Sequence, residues 1–204
     1  MFIELTDHLR CAGDHPEQFL VLLPDAMAGR RVARGTLGCP ICGRVVAVEN
    51  GRADFGGEAP APRATALTGA AVRAFLGIGG PGGYLALFGG AARIAGDLAA
   101  LLPGVRFVLV NPPPDTEDSE LASVLRGGRS PLKSRSMRGA IVGADHGADP
   151  TWVQAAVAAV LPGLRIVVEG PAAALPGVEI LAETDGVWVG VVGPARQGAG
   201  SRSA

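Results

Sequence analysis

Short apolar runs, each closed by Gly, Pro or Asn, set the rhythm of this chain. In its first quarter Phe19-Leu20-Val21-Leu22-Leu23 stops at Pro24-Asp25 and reads as a strand. Residues 30–37 read as a second strand that leads into a cysteine turn. Val45-Val46-Ala47-Val48-Glu49 is β-rich, and Asn50-Gly51 follows it. That dipeptide is a strong hairpin signal because both residues tolerate positive φ. Residues 52–55 then run back. Residues 58–67 alternate Ala and Pro and predict an extended, semi-rigid linker.

From residue 68 to about 193 the pattern alternates helix-like and strand-like stretches, and it echoes itself. Ala99-Ala100-Leu101-Leu102-Pro103-Gly104-Val105-Arg106-Phe107-Val108-Leu109-Val110 resembles Ala158-Ala159-Val160-Leu161-Pro162-Gly163-Leu164-Arg165-Ile166-Val167-Val168. A shorter echo is Ala174-Leu175-Pro176-Gly177-Val178-Glu179-Ile180-Leu181. Each reads as a helix end, a Pro-Gly stop and a strand. Unbroken apolar strands after helices predict a buried, mainly parallel sheet with helices on its faces, an α/β body. The pattern places strands near 72–78, 105–110, 138–143 and 164–168, with a closing pair near 178–183 and 186–192. It places helices near 83–102, 116–126 and 151–161, the last capped by Asp149 or Thr151. Tyr84 and Trp152 read as packing residues. The Gly-, Ser-, Arg- and Gln-rich tail, residues 194–204, predicts disorder.

Composition narrows the picture. The chain has 204 residues, 48% apolar and 18% charged, with 31 glycines and 4% aromatics, so its core is built from small aliphatic side chains. That length suits one medium domain and a small one. A net charge of −1 excludes a chain-wide electrostatic grip on nucleic acid. The local basic stretch Arg126, Arg129, Lys133, Arg135 and Arg138 reads as a solvated loop rather than a phosphate-binding patch. No apolar run reaches the roughly 18 residues of a membrane span. Glu4, Asp7 and His8 interrupt the N-terminus, which does not read as a signal peptide. A cytoplasmic protein with reduced cysteines is expected.

All three cysteines fall in the first quarter, as Cys11 and the turn Cys39-Pro40-Ile41-Cys42-Gly43, with His15 three residues beyond Cys11. A Cys-x2-Cys turn presents two thiolates to one ion, and zinc takes four tetrahedral sulfur or nitrogen ligands. The predicted set is Cys11, His15, Cys39 and Cys42. His8 and Asp14 are alternatives for the fourth ligand, and His15 is preferred because a turn at Gly13 can fold it back. The bland alternative is an incomplete site in which Cys11 is a small buried apolar residue. Four protein ligands leave no open position, so the zinc is structural. Strands framing such a turn make residues 1–57 a zinc ribbon. The stretches Asp7-His8-Leu9-Arg10-Cys11, Leu37-Gly38-Cys39-Pro40-Ile41-Cys42-Gly43 and residues 46–54 resemble the small zinc-ribbon proteins that activate tRNA, rRNA and release-factor methyltransferases. The resemblance covers about 45 residues and implies a protein or RNA partner for the ribbon. That family carries two Cys pairs, whereas here the first pair is Cys11 and His15, and residues 17–36 are inserted.

A second motif is Gly77-x-Gly79-Gly80-x-Gly82, read as following a strand at 72–76 and opening a helix. Glycines in such a turn let backbone approach a nucleotide, and a helix N-terminus favours its anionic groups. The loop resembles the first motif of class I S-adenosylmethionine-dependent methyltransferases, loosely continued through residues 130–142, 157–168 and 178–192. The resemblance implies a Rossmann-like body with Gly77, Gly79, Gly80 and Gly82 against the cofactor, Asn111 on its ribose, and Asp145 and His146 near the acceptor. The sequence departs from that family at both anchoring acids. No Asp or Glu occurs from 69 through 96, and strand 2 ends in Asn111. Asn111-Pro112-Pro113-Pro114 reads as a strand stop rather than a substrate motif. Two functions from different classes follow. One is a zinc-binding scaffold or regulatory protein with a degenerate methyltransferase-like domain; the other is an active S-adenosylmethionine-dependent methyltransferase.

Overall fold

Eleven strands join into one sheet in the order β1-β2-β3-β4-β7-β6-β5-β8-β9-β11-β10. A computed structural model describes residues 1–116, 120–172 and 174–194, and every statement below concerns those residues. The strands are β1 (Val21–Ala28), β2 (Arg31–Gly38), β3 (Val45–Glu49), β4 (Arg52–Asp54), β5 (Tyr84–Phe88), β6 (Arg106–Val110), β7 (Ala122–Arg126), β8 (Gly139–Val142), β9 (Arg165–Glu169), β10 (Val178–Thr184) and β11 (Val187–Val192). The helices are α1 (Gly69–Leu76), α2 (Ala95–Leu101), α3 (Ala144–Gly147) and α4 (Pro150–Ala159), with 3₁₀ turns at Ile3–His8 and Gly89–Ile94. The six strands β4, β7, β6, β5, β8 and β9 run parallel, and antiparallel strands flank them on both sides. The molecule is thus α/β, with a large mixed sheet that is mostly parallel in its core.

The sheet separates two apolar layers because strand side chains alternate with a period of two. Ala86, Phe88, Val108, Val110, Val142 and Val168 face α4 and the N-terminal residues Met1, Leu5 and Leu9. Leu85, Leu87, Phe107, Leu109, Ile141 and Val167 face α1 and α2 through Val72, Leu76 and Leu98. All five residues of β5 are buried. Each fully buried Leu or Phe contributes on the order of 1.5–3 kcal/mol, so the two-sided burial dominates the stability of the body.

The strands expected near 105–110, 138–143, 164–168, 178–183 and 186–192 are all present, as is the helix near 151–161. Asp149 caps that helix, its side chain accepting from the Thr151 amide. Three elements differ. Residues 72–78, expected as a strand, lie in and just after α1. Thr68 caps α1 by accepting from the Ala71 amide, and Gly77 ends it in the left-handed region at φ 60°, its N–H bonding the Arg73 carbonyl. Val72 and Leu76, one turn apart, give it a buried face. The expected helix at 83–102 begins instead with strand β5. Its Leu and Ala are good helix formers, but burial on both sides of a parallel sheet overrides propensity. In the expected helix at 116–126, residues 122–126 are strand β7, and 117–119 lie outside the described residues. Residues 195–204 of the expected disordered tail also lie outside them.

In the first quarter, β1 runs through Pro24 rather than stopping there. It is an edge strand whose register shifts between Pro24 and Ala26, and such positions tolerate proline. Asn50 and Gly51 take φ of 49° and 75°, forming the β3–β4 hairpin turn. Strand β4 then pairs in parallel with β7, which carries the sheet from the first quarter into the body.

Candidate metal centre and ligand crevice

Cys11, His15, Cys39 and Cys42 come together, with ligand atoms all within 4.8 Å of one another. Cys11 Sγ lies 3.7 Å from Cys42 Sγ, and Cys39 Sγ lies 3.5 Å from His15 Nε2. A tetrahedral zinc ion with Zn–S of ~2.3 Å and Zn–N of ~2.0 Å has S–S and S–N edges of about 3.8 and 3.5 Å. Those two edges match the tetrahedral ones, and the set could hold a metal ion. The turn is tight: the Gly43 amide donates to the Cys39 carbonyl and the Cys39 amide to the Arg44 carbonyl, with Gly43 at φ 68°. His15 Nδ1–H donates to the Pro16 carbonyl at 2.8 Å, which leaves Nε2 as the ligand nitrogen. The Gly13 amide donates to Cys11 Sγ at 3.3 Å. Burial, aided by the neighbouring thiols, pushes the Cys11 thiol up to about 11. The Arg44 amide lowers that of Cys42. Cys39 is also lowered: burial opposes its charge, and the Cys42 and Ile41 amides outweigh it. A bound ion displaces the remaining thiol protons, so its affinity is pH-dependent.

The two alternative ligands stand elsewhere. His8 is half-buried against Tyr84, ring centroids 4.9 Å apart, and burial lowers its pKa. Asp14 pairs with Arg129 on the surface.

The glycine loop lies at the end of the sheet opposite Asn111, Asp145 and His146. It joins α1 to β5 rather than a strand to a helix, which places Gly77, Gly79, Gly80 and Gly82 at the amino ends of the parallel strands. Its carbonyls, not its amides, converge. Arg138 donates to the carbonyls of Gly79, Gly80 and Pro81 at 2.9, 3.2 and 3.1 Å, and also to that of Gly82. The loop is built around a guanidinium, the opposite polarity from a phosphate cradle. The basic stretch is dispersed accordingly, with Arg138 held here and Arg129 on Asp14.

At the carboxyl ends of the strands the structure does bring Asn111, Asp145 and His146 together, all buried at 3%, 7% and 0% exposure. Asn111 ends β6 at φ 51° and clamps Gly127, accepting from its amide at 2.8 Å and donating to its carbonyl at 2.9 Å. Those two bonds fix the amide, so Nδ2 also donates to His146 Nε2 at 3.3 Å. His146 Nδ1–H donates to Asp145 Oδ1 at 3.1 Å. Asp145 further accepts from the amides of His146, Gly90 and Arg63. Burial works against the Asp145 charge, but His146 and these amides hold its pKa below the usual carboxylate range. Trp152 lies edge-on to His146, centroids 4.7 Å apart. The His146 ring has no exposed face to offer an acceptor substrate.

Two features here lie outside the predicted site. The turn Gly89-Gly90 follows β5, and the sheet order reverses between β5 and β8, the place where open α/β sheets bind ligands. Its signal was the apolar run Tyr84–Phe88 ending in two glycines. The second feature is the segment 58–67, which crosses this crevice. Arg63 N–H meets Asp145 at 3.2 Å, and Thr65 Oγ1 and Ala66 N–H each meet Glu169 at 2.6 Å. A Cβ on Gly90 would lie 2.0 Å from the Arg63 carbonyl oxygen, so the segment sits directly on the turn.

No family profile and no curated protein matches the chain. Solved structures with similar folds include a complex of the Haloferax volcanii methyltransferase activator Trm112 with a candidate methyltransferase. It is 16% identical, at TM-score 0.40, over 49% of this chain and 50% of that one. A candidate methyltransferase of an antibiotic biosynthesis pathway from Anabaena variabilis is 15% identical, at TM-score 0.37, over 49% and 43%. The antibiotic-resistance methyltransferase Kmr is 15% identical, at TM-score 0.40, over 65% and 98%. The chain thus spans about half the length of the first two.

Proposed function

We propose that this chain is a zinc-binding scaffold or regulatory protein, acting through protein or RNA partners, whose methyltransferase-like body does not hold S-adenosylmethionine in the conformation described. Two features support the family reading. Counted in chain order from β5, the body strands lie 3-2-1-4-5-7-6, a doubly wound Rossmann order closed by an antiparallel pair where the resemblance puts its terminal strands. The Cys3His cluster supports a structural zinc, held by Cys11, His15, Cys39 and Cys42, that organises the ribbon. The observation that carries the functional reading is the filled crevice. Segment 58–67 occupies it, and Asn111, Asp145 and His146 direct their hydrogen bonds inward.

Titration calorimetry tests it. The chain as isolated should give no heat with S-adenosylmethionine or S-adenosylhomocysteine at millimolar concentration, and metal analysis should return about one zinc per chain. Micromolar binding by the unmodified chain would overturn the scaffold reading. The alternative, an active methyltransferase, is favoured by the Gly89-Gly90 turn at the reversal point of the sheet.

A further inference from the structure

The segment that fills the crevice is attached in an unusual way. Its hold is through backbone and one hydroxyl: the Arg63 and Ala66 amides and Thr65 Oγ1, all directed at two carboxylates. The side chains of Pro62, Arg63, Ala64 and Ala66 point to solvent. Leu67 is buried, and Thr68 caps α1, so the far end is fixed. The near end leaves Gly56-Gly57, both in the left-handed region at φ 72° and 86°, where the Gly128 amide bonds the Gly56 carbonyl. Between those anchors the segment buries little apolar surface, the mark of an element that opens at low cost.

What lies beneath is far from inert. Asp145 and Glu169 are 7% and 5% exposed, and they stand at the carboxyl ends of β8 and β9. Beside them the Gly89-Gly90 turn presents backbone without Cβ atoms, and its Gly90 amide donates to Asp145 at 2.9 Å. If the segment lifts, two desolvated carboxylates lose N–H and O–H donors. Asp145 keeps its bonds from His146 and Gly90, but Glu169 loses both the Thr65 and the Ala66 donors, so the open state favours an occupant that supplies donors of its own.

We propose that residues 58–67 are a displaceable strap that competes in cis with a donor-bearing nucleoside ligand of the S-adenosylmethionine type for this crevice. The proposal rests on the methyltransferase-like reading of the body and adds regulation to it. The strap is tethered at both ends, so it competes at an effective concentration on the order of millimolar. A crevice open one part in a hundred raises the apparent Kd about a hundredfold. A partner that pulls the strap away from Glu169 thereby switches the crevice on.

The test uses the full zinc-loaded chain and a strap variant, Thr65→Val with Ala66→Pro, which removes both donors to Glu169 and leaves every crevice residue in place. Both residues are at least partly exposed, and an unchanged thermal melt verifies the fold. Two quantities are read: hydrogen exchange over residues 60–68, and calorimetric binding of S-adenosylhomocysteine. The expected result is exchange at least tenfold faster in the variant, with binding by the variant that the unmodified chain does not show at millimolar ligand. Faster exchange with no binding in the variant overturns the proposal and leaves the scaffold reading standing. Unchanged exchange also overturns it, since the Glu169 contacts are then not what holds the strap. Equal micromolar binding by both chains overturns the proposal and the scaffold reading together.

Discussion

Replacing Asn111 by Ala separates a structural amide from a ligand-binding one. The side chain makes three contacts: it accepts from Gly127 N–H at 2.8 Å, donates to Gly127 C=O at 2.9 Å, and donates to His146 Nε2 at 3.3 Å. Gly127 is buried, so its amide would be stranded, at a cost of about 1–3 kcal/mol. The carbonyl and the imidazole nitrogen lose a partner as well, about 1 kcal/mol each. Ala also tolerates the observed φ of 51° less well than Asn, by about 1 kcal/mol. The sum is about 4–6 kcal/mol, a large share of the 5–15 kcal/mol typical of a domain. With an m-value of about 2 kcal/mol/M, the urea midpoint falls by roughly 2–3 M. Tryptophan fluorescence is a suitable probe because Trp152 stands against His146. Asn111→Gly should recover about 1 kcal/mol of the loss by relieving φ alone. A loss under about 1 kcal/mol for Asn111→Ala would refute the reasoning, as would a variant of normal stability whose only defect is in ligand affinity.

Three further outcomes are expected. His15→Ala should lower the zinc retained after dialysis against a weak chelator, whereas His8→Ala should retain one zinc per chain; the reverse result would reassign the fourth ligand. Asp145 has a folded-state pKa below its unfolded value of ~3.9, so its contribution is fully present above that value and is lost as pH falls through the folded one. Asp145→Asn should therefore flatten the acid limb of a stability–pH curve measured by urea titration between about pH 5 and 2, and an unchanged limb sinks the assignment. A chain begun at residue 58 lacks β1–β4, which uncovers the edge of β7 and the face covered by Leu5 and Leu9, and it should aggregate or melt without cooperativity; a sharp, soluble melt would show that the body folds alone.

The division between what the sequence disclosed and what it hid follows from where the signals are local. The β3–β4 hairpin was legible because Asn50-Gly51 specifies its turn by itself. The Cys3His set was legible because few residue types ligate zinc and their spacing is short. The Pro-Gly echoes placed β6 and β9 correctly. The reading slipped between 69 and 102, where α1 and β5 are interchanged. Both segments are runs of Ala, Leu and Phe, and periodicity cannot separate a short helix from a short buried strand. The local evidence that could have decided it was Thr68 and Gly77, a cap and a left-handed stop at the two ends of α1. One misplaced strand moved the presumed cofactor loop to the wrong end of the sheet. The role of segment 58–67 was illegible for another reason: its partners Asp145 and Glu169 lie 82 or more residues away, and an Ala/Pro stretch carries no mark of them.

The first-quarter strands and the crevice, far apart in sequence, are joined by consecutive bonds. Strand β4 lies on β7, and the Phe55 amide bonds the Arg126 carbonyl at 2.8 Å. The next residue of that strand's exit, Gly127, is held at both backbone groups by Asn111, and Asn111 leads through His146 to Asp145 and so to Arg63 of the strap. The strap itself leaves the ribbon three residues after β4. Strand β4 seated on β7 therefore sets the position of Gly127 from one side and the origin of segment 58–67 from the other. Residues 1–57 thus cover a sheet edge that would otherwise be open to another chain, and the same contact determines where the segment over the crevice begins. The link between the two is the three-residue pairing of Arg52, Ala53 and Asp54 with Val124, Leu125 and Arg126. Because so short a ladder is seated by the buried Ala53, Val48 and Phe55 around it, the end of the chain that carries the Cys3His cluster and the crevice share one core rather than two.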